Sequence, residues 1–322
     1  MNHLAYNPRK TRASLTYLIS NDPIAGTAVL FLLGLMFGSF LNVCIYRIPL
    51  GRSVVAPRSA CPSCGTPIRA YDNIPVLGWL LLRGRCRSCE AKISSRYVAV
   101  ELLTGFLFVA CYWRAGNLPE TAKLCVFSFL VLGLIFIDAE HHLLPNRLTL
   151  PGLWVGLLFS LIIPVHGLDL NLFWTVRRPL PPQLLWFINS LLGAAIGALV
   201  IYAAGELYLR VRAIEGMGFG DVKFMGMIGA FLGIKLTLFT ILGASILGTL
   251  FGSAIVLFVW QKRVRRRRRA VSMAPKIYAR SWRSAQLILH SYEVPFGVFL
   301  GGVALAAVFF GETLIHWYMA LY

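Results

Sequence analysis

The stretch IAGTAVLFLLGLMFGSFLNVCIY, residues 24–46, contains 23 residues and no charged side chain. About 20 apolar residues in an α-helix are enough to cross the ~30 Å hydrocarbon core of a bilayer. The stretch is longer than the apolar region of a signal peptide, and it lacks a small-residue cleavage site. We therefore predict that residues 24–48 form a retained first membrane span, preceded by a tail over residues 1–23.

The rest of the chain has the same apolar character. Of its 322 residues, 57% are hydrophobic and only 14% are charged, and the mean hydropathy is +0.70. Soluble domains carry about 25% charged residues. This composition excludes a soluble enzyme, a disordered protein and a small secreted protein stapled by disulfides. It indicates a protein that crosses the membrane several times.

Eight apolar runs define the candidate spans, and several of them are shorter than the ~20 residues that a full crossing needs. They cover residues 24–46, 98–113, 121–137, 148–165, 184–205, 222–234, 236–260 and 294–310. The predicted fold is all-α and polytopic, with about eight transmembrane helices and a small loop domain at residues 49–97. Residues 98–322 form the main transmembrane domain.

The basic residues orient the chain in the membrane. There are 31 Lys and Arg against 13 Asp and Glu, which gives a formal net charge of +18. They lie in loops between apolar runs, which indicates a topological bias rather than nucleic-acid binding, because cytoplasmic loops carry the positive excess. The loops after spans one, three, five and seven hold 21 of them, and the opposite side holds 7. We therefore place the loop domain in the cytoplasm. The arginine run at 265–269 is either an anionic-lipid contact or the flank of a span.

Four of the seven cysteines form two C-x2-C pairs, CPSC with Cys61 and Cys64, and CRSC with Cys86 and Cys89. Two such pairs supply the four thiolates of a closed tetrahedral Zn²⁺ site. Such a site is structural, because no coordination position stays open for a substrate. The alternatives are two disulfides or redox thiols, and a cytoplasmic location disfavours disulfides. We predict one structural zinc ion in a zinc-ribbon-like domain.

Two aspartates stand at span boundaries, Asp138 in LIFIDAEHHLLPN and Asp221 in GMGFGDVKFMGMIGAFLG. Two predicted spans separate them, so both lie on the cytoplasmic side. Two carboxyl groups that share one proton can activate a water and protonate a scissile carbonyl. The alternatives are a helix cap at Asp221 with an interfacial Asp138, or a metal cluster that also uses Glu140, His141 and His142.

Six blocks of sequence occur in a recognisable order along the chain. They are GSFLNVCIYRIP (38–49), YDNIPVLGWLLLRGRC (71–86) with the cysteine pairs around it, SSRYVAVELLTG (94–105), IDAEHHLLPNRLTLPGLWVGL (137–157), GMGFGDVK (216–223) and PFGVFLGG (295–302). In these blocks the chain resembles the prepilin leader peptidases of bacterial type IV pilus and type II secretion systems, which are aspartic peptidases and N-methyltransferases.

This resemblance implies that Asp138 and Asp221 form the catalytic dyad. The substrate would be a type IV prepilin or pseudopilin, cut on the cytoplasmic face of the bacterial inner membrane after the glycine that ends its basic leader. The new N-terminal residue would then be methylated from S-adenosylmethionine. In the family the cysteine-bearing domain is associated with methylation, and no residue here is recognisable as a methyl-donor site.

The chain departs from the family pattern at a few places. Val98 stands where many members have Pro, and Asn146 stands where many have Asp. The segments 166–183 and 261–293 are longer than usual, and we assign neither a role. Glu101 and Glu206 are candidates to attract the basic leader. The rival functions are a transporter or channel with a zinc-ribbon regulatory loop, and a methyltransferase without proteolysis.

Overall fold

A computed structural model describes residues 22–165, 181–213, 218–270 and 295–321. The chain divides into two compact units, Met1–Gly133 and Leu134–Tyr322. Over the described residues the structure is helical, and two isolated β-bridges are the only extended pairing there. Most of each long insertion, residues 166–180 of the first and residues 271–293 of the second, lies outside the described residues.

The helices are named in chain order. The first unit contains α1 (Pro23–Arg47), a 3₁₀ turn (Ala70–Asn73), α2 (Leu77–Leu81), α3 (Arg96–Arg114) and the first part of α4 (Leu118–His141). The second unit contains the end of α4, then α5 (Asn146–Ser160), α6 (Pro182–Arg212), α7 (Phe219–Ala270), α8 (Phe296–Ala306), a π-helical turn (Ala307–Gly311) and α9 (Glu312–Met319).

Helix α1 begins where its sequence provides a cap. The Asp22 carboxylate accepts hydrogen bonds from the backbone N–H groups of Ile24 and Ala25, at 2.9 and 3.1 Å. Pro23 occupies the first helical position, where the missing N–H costs nothing and the ring has the right φ. The span therefore starts directly after its polar cap residue, Asp22, and ends at Arg47.

Helices α1 and α3 approach each other through small residues. A Cβ atom added at Gly34 would lie 2.7 Å from the Cα of Gly105, and one added at Gly38 would lie 2.7 Å from the Cα of Glu101. Gly34 and Gly38 form a G-x-x-x-G pair, which lets two helix backbones come close in a bilayer. This contact holds the two spans that flank the cysteine-bearing loop.

Helix α7 contains the largest departure from regular geometry among the described helices. Gly233 has φ 73° and ψ 177°, outside the helical region, so two helical arms meet at this residue. Only glycine adopts such a positive φ without strain. The two arms correspond to the predicted spans at 222–234 and 236–260.

The all-α, multi-pass prediction is confirmed, but the number of spans differs from about eight. Among the described residues, six helices are long and apolar enough to cross a membrane. Helix α5 has only 15 residues, which is ~22 Å of helix. The two arms of α7 count as one continuous segment, Phe219–Arg265. The predicted segments are present, and two of them do not qualify as separate full spans.

Candidate functional site

Asp138 lies in the last turn of α4 and is 6% exposed. The helix ends just after it, because His142 has a positive φ of 51° and Pro145 prevents the chain from continuing as a helix. The backbone N–H of His142 still donates to the Asp138 carbonyl oxygen at 2.9 Å. The aspartate is thus fixed at a helix end and buried among the elements of the second unit.

Asp221 lies in the first turn of α7 and is 9% exposed. Its backbone N–H donates to the carbonyl oxygen of Gly218 at 3.1 Å. The glycine before it is needed for packing, since a Cβ at Gly220 would lie 2.9 Å from the Cβ of Leu144. The glycine-rich motif therefore brings the start of α7 against the loop that follows Asp138.

The structure brings the two predicted aspartates together. The charge of the Asp138 carboxylate acts on the Asp221 carboxylate, and both belong to the second unit. Two buried carboxyl groups that interact electrostatically cannot both be ionised at little cost. The pair therefore meets the electrostatic condition for one ionised and one protonated carboxyl group.

A third element reaches this pair, and the sequence analysis had assigned it no role. The backbone N–H of Val298, in the first turn of α8, donates to Oδ2 of Asp138 at 3.1 Å. Gly297 lies so close that an added Cβ would be 2.8 Å from the same oxygen. The P-F-G pattern at 295–297 indicates a helix start at which a glycine permits close packing. The sequence alone does not identify the residue that packs there.

Lys223, Glu140 and His141 do not converge on the dyad, whereas His142 acts electrostatically on Asp138. Nζ of Lys223 donates to Oδ1 of Asn146 at 2.8 Å and lies 4.9 Å from the centre of the Phe219 ring. Glu140 and His141 are exposed. Among the described residues, the four cysteines form the one group of three or more ligating side chains whose ligand atoms converge. The geometry therefore favours a pair of carboxyls over a metal cluster at this position.

The four cysteines meet as the C-x2-C spacing predicts. The Sγ atoms of Cys61, Cys64, Cys86 and Cys89 all lie within 4.8 Å of one another, and those of Cys61 and Cys89 are 3.8 Å apart. Zn–S bonds of ~2.3 Å in a tetrahedron place sulfur atoms ~3.8 Å apart. The four thiols are free rather than joined as disulfides. The donor set and its spacing fit a tetrahedral Zn²⁺ ion.

The two cysteine pairs have the same backbone structure. The N–H of Cys61 donates to the Thr66 carbonyl at 3.0 Å, and the N–H of Cys86 donates to the Ala91 carbonyl at 2.9 Å. Each pair is closed by an isolated β-bridge, Ala60↔Pro67 in the first and Arg85↔Lys92 in the second. The loop is therefore built from two similar knuckles, a repeat that the sequence analysis did not detect.

Equivalent positions in the knuckles have a left-handed backbone. Gly65 has φ 72° and Glu90 has φ 56°. The N–H of each donates to the carbonyl of the first cysteine in its pair, at 2.9 and 3.0 Å. Only the first knuckle uses glycine at this turn, so the repeat is hidden at the sequence level.

Two thiols of the cluster, those of Cys64 and Cys86, are biased towards the metal-binding thiolate, whereas hydrogen bonding to the neighbouring cysteines raises the pKa of Cys89. Hydrogen bonds from the side chain and backbone of Thr66 lower the pKa of the Cys64 thiol to about 6. Backbone hydrogen bonds at Cys89 and Ser88 also lower the pKa of Cys86. Because the thiolate is the species that coordinates zinc, these hydrogen bonds favour metal binding near neutral pH.

An ion pair joins the second knuckle to the 3₁₀ turn. Nε and Nη2 of Arg87 donate to the two carboxylate oxygens of Asp72 at 2.9 and 2.6 Å, and the guanidinium lies 5.5 Å from the centre of the Tyr71 ring. The hydrogen bond from Arg87 holds the pKa of Asp72 below its ordinary value. A bidentate pair of this kind fixes orientation as well as distance.

The two glutamates proposed to attract a basic leader already have partners. Oε2 of Glu101 accepts the backbone N–H of Val76 at 2.7 Å, and Glu101 is only 8% exposed. Glu206 forms an ion pair with Arg210 one helical turn away, at 2.9 Å. Glu101 therefore stabilises the start of α2, a structural role that the sequence analysis missed.

Comparisons with known proteins match both units. The Bacterial Peptidase A24 N-terminal domain matches residues 32–115, and the Type IV leader peptidase family matches residues 125–253. No solved structure matches the chain.

Several curated relatives carry the name prepilin leader peptidase/N-methyltransferase. One from Myxococcus xanthus is 42% identical over 228 residues, which cover 71% of this chain and 62% of that protein. One from Aeromonas hydrophila is 31% identical over 316 residues, covering 91% of this chain and 93% of that protein. One from Pseudomonas aeruginosa is 31% identical over 328 residues, covering 95% and 97%. These relatives lend no support to the transporter alternative.

Proposed function

This chain belongs to the type IV leader peptidase family, and on that premise we propose that it is a prepilin leader peptidase with N-methyltransferase activity. It removes the basic leader of type IV prepilins or pseudopilins and methylates the new N-terminus with S-adenosylmethionine. The observation that carries the peptidase reaction is the buried pair of Asp138 and Asp221 in one compact unit.

The chemistry follows from two carboxyl groups that share one proton. The ionised member takes a proton from a water, whose oxygen then attacks the scissile carbonyl carbon. The protonated member donates to the carbonyl oxygen as negative charge develops on it. Burial of both side chains keeps bulk water from competing for these hydrogen bonds.

The location of the dyad suits a substrate that enters the membrane as a helix. Both aspartates lie at ends of long apolar helices, at positions where a membrane–water interface is expected. A prepilin keeps its positive leader in the cytoplasm, because basic residues remain on that side. We therefore place the dyad and the cysteine loop on the cytoplasmic face of the bacterial inner membrane.

The cysteine loop has a supporting role in this proposal. Cys61, Cys64, Cys86 and Cys89 would hold one Zn²⁺, which supplies a structural cross-link between the two knuckles. The loop contributes to methylation by the resemblance to the family. The methyl donor supplies an electrophilic methyl group to the newly formed amine, and we assign no residue to its binding.

The test uses the purified full chain in liposomes, with a prepilin and S-adenosylmethionine, and reads product masses. We expect wild type to remove the leader and add one methyl group. Asp138→Asn and Asp221→Asn should each lower the cleavage rate about a thousandfold or more, as expected when an acid–base group is lost.

The matched control is Glu90→Gln, which also neutralises an acidic residue but changes only an exposed ion pair with Arg85. It should cleave like wild type. Cleavage that survives both aspartate substitutions would refute the dyad and reopen the alternative of a metal cluster at residues 138–142.

A further inference from the structure

We infer that the first turn of α8 is part of the catalytic apparatus. In this inference Gly297 is a positioning residue for Asp138, and the Val298 N–H makes Asp138 the ionised member of the dyad. It rests on the proposed peptidase function and adds to it which aspartate is the base. The observation behind this inference is the contact between the start of α8 and Asp138. The α8 backbone donates to this carboxyl group and packs so closely against it that position 297 has no room for a side chain.

The donor is a group that a helix start leaves available. Val298 is the third residue of α8, and the first N–H groups of a helix have no full intrahelical partner. Its N–H has a long bond of 3.3 Å to the Pro295 carbonyl and a shorter one of 3.1 Å to Oδ2 of Asp138. The positive end of the helix dipole points the same way. This arrangement stabilises the carboxylate and not the carboxylic acid at Asp138.

The close approach requires glycine at position 297. An added Cβ would lie 2.8 Å from Oδ2 of Asp138 and 3.1 Å from its Cγ, and also 3.2 Å from Cδ1 of Leu144. Asp138 is 6% exposed and its side chain is short, so it has little freedom to retreat. Even one methyl group at position 297 must therefore displace the carboxyl group.

The surrounding charges agree with this assignment. The charge that acts on Asp138 is that of His142 just after α4, and the Asp138 carboxylate in turn acts on Asp221 at the start of α7. Residues 296–306 of α8 contain no charged side chain.

The Asp221 carboxylate has one backbone donor, Gly218, and its position in the first turn of α7. The Asp138 carboxylate, in contrast, has two backbone donors, Val298 and Gly297. The second backbone donor therefore favours Asp138 as the ionised member.

The assignment gives a balanced first step. Asp138 accepts a proton from water as the water oxygen bonds to the carbonyl carbon, and Asp221 gives its proton to the carbonyl oxygen. When the tetrahedral intermediate collapses, the C–N bond breaks and the leaving amine takes the proton from Asp138. The hydroxyl proton of the intermediate returns to Asp221 as the carboxylic acid product forms. The dyad is then in its starting state.

The test compares two glycine-to-alanine variants of the same helix in full-length protein in liposomes. Gly297→Ala adds a methyl group against Asp138, whereas Gly302→Ala adds one where nothing lies within 4 Å. Prepilin cleavage is measured over substrate concentration and pH. We expect Gly297→Ala to lower kcat about tenfold to a hundredfold while KM changes less than about twofold, because sub-ångström misplacement affects the reaction more than binding.

The pH profile separates a positioning role from a general structural one. Weakening the N–H bond makes the base easier to protonate, so the acidic limb of the kcat profile should move to higher pH in Gly297→Ala. Gly302→Ala should keep the wild-type profile. An unshifted profile or full activity in Gly297→Ala would overturn the inference, and so would a rise in KM alone.

A double variant protects the test against simple misfolding. Gly297→Ala with Leu144→Ala removes the Leu144 contact but leaves the new methyl group against the carboxyl group of Asp138. We expect the shifted acidic limb to persist. A return to the wild-type profile would assign the effect to Leu144 and overturn the inference. If wild type and Gly302→Ala both fail to cleave, the proposed function itself has failed, which is a different outcome.

Discussion

At the scale of single residues, Glu101 shows how an acidic side chain is accommodated within a span. It lies in the second turn of α3, and its carboxylate accepts the N–H of Val76 at 2.7 Å. Val76 has φ 62°, a strained conformation for a β-branched residue. The hydrogen bond from the span compensates for that strain and fixes the start of α2.

Replacing Glu101 should therefore affect stability according to whether an acceptor remains. Glu101→Leu leaves the Val76 N–H without its partner and should cost about 2 kcal/mol of unfolding free energy. Glu101→Gln keeps a carbonyl oxygen and should cost less than half of that. Thermal unfolding of the two variants in detergent tests this difference. Equal losses would show that the charge, and not the hydrogen bond, is what matters.

At the scale of elements, the crossing of α6 and α7 depends on glycines that face each other. A Cβ at Gly229 would lie 2.2 Å from the Gly193 carbonyl oxygen, and one at Gly193 would lie 2.9 Å from the Cα of Gly233. The Ser190 hydroxyl also donates to the Ala230 carbonyl across the same contact. Close backbone packing and a hydrogen bond are the forces that hold helices together in lipid, where the hydrophobic effect does not act between them.

Gly229→Ala should separate these helices, because neither backbone can retreat by the distance that a methyl group needs. We expect a loss of about 3 kcal/mol, the upper part of the usual range for overpacking. Gly252→Ala on the same helix is the control, since nothing lies within 4 Å of its added Cβ. Melting temperatures in detergent measure both. A Gly229→Ala variant as stable as the control would refute the tight crossing.

At the scale of the whole molecule, the two sites lie in different compact units. All four cluster cysteines are in the first unit, and both aspartates are in the second. The predicted zinc ligands and the predicted catalytic carboxyl groups therefore belong to separately packed parts of the chain. In the proposed function, cleavage therefore depends on side chains of the second unit, and the cysteine loop associated with methylation belongs to the first unit.

Loss of zinc should then affect methylation and leave cleavage largely intact. Cys64→Ser removes one ligand, and we expect bound zinc to fall from one per chain to near zero. Methyl transfer should be lost, whereas cleavage should stay within about threefold of wild type, because structural zinc stabilises the loop that it folds. Elemental analysis and product masses measure these quantities. Cys44→Ala, which removes a buried thiol outside the cluster, is the control. Equal loss of both activities in Cys64→Ser would contradict the division.

The sequence by itself determined the features that depend on spacing along the chain. Apolar run length predicted the helices, and the C-x2-C spacing predicted the four thiols that converge within 4.8 Å. A count of two spans between Asp138 and Asp221 predicted that they lie on one side of the membrane. This stays a prediction, because α5 has only 15 residues and is not among the candidate spans of the described residues. Each of these inferences needs only the rise of a helix, the reach of a short turn or a count of crossings.

Only the tertiary structure decided which surfaces touch. The Val298 N–H reaches Asp138 across 160 positions of the chain, and Gly233 divides one apolar segment into two arms. The facing glycines of α6 and α7 and the Glu101–Val76 bond are likewise contacts between separate elements. Such contacts depend on how closely two backbones can approach, and that distance is a property of both partners together. A pattern read along one segment cannot contain it.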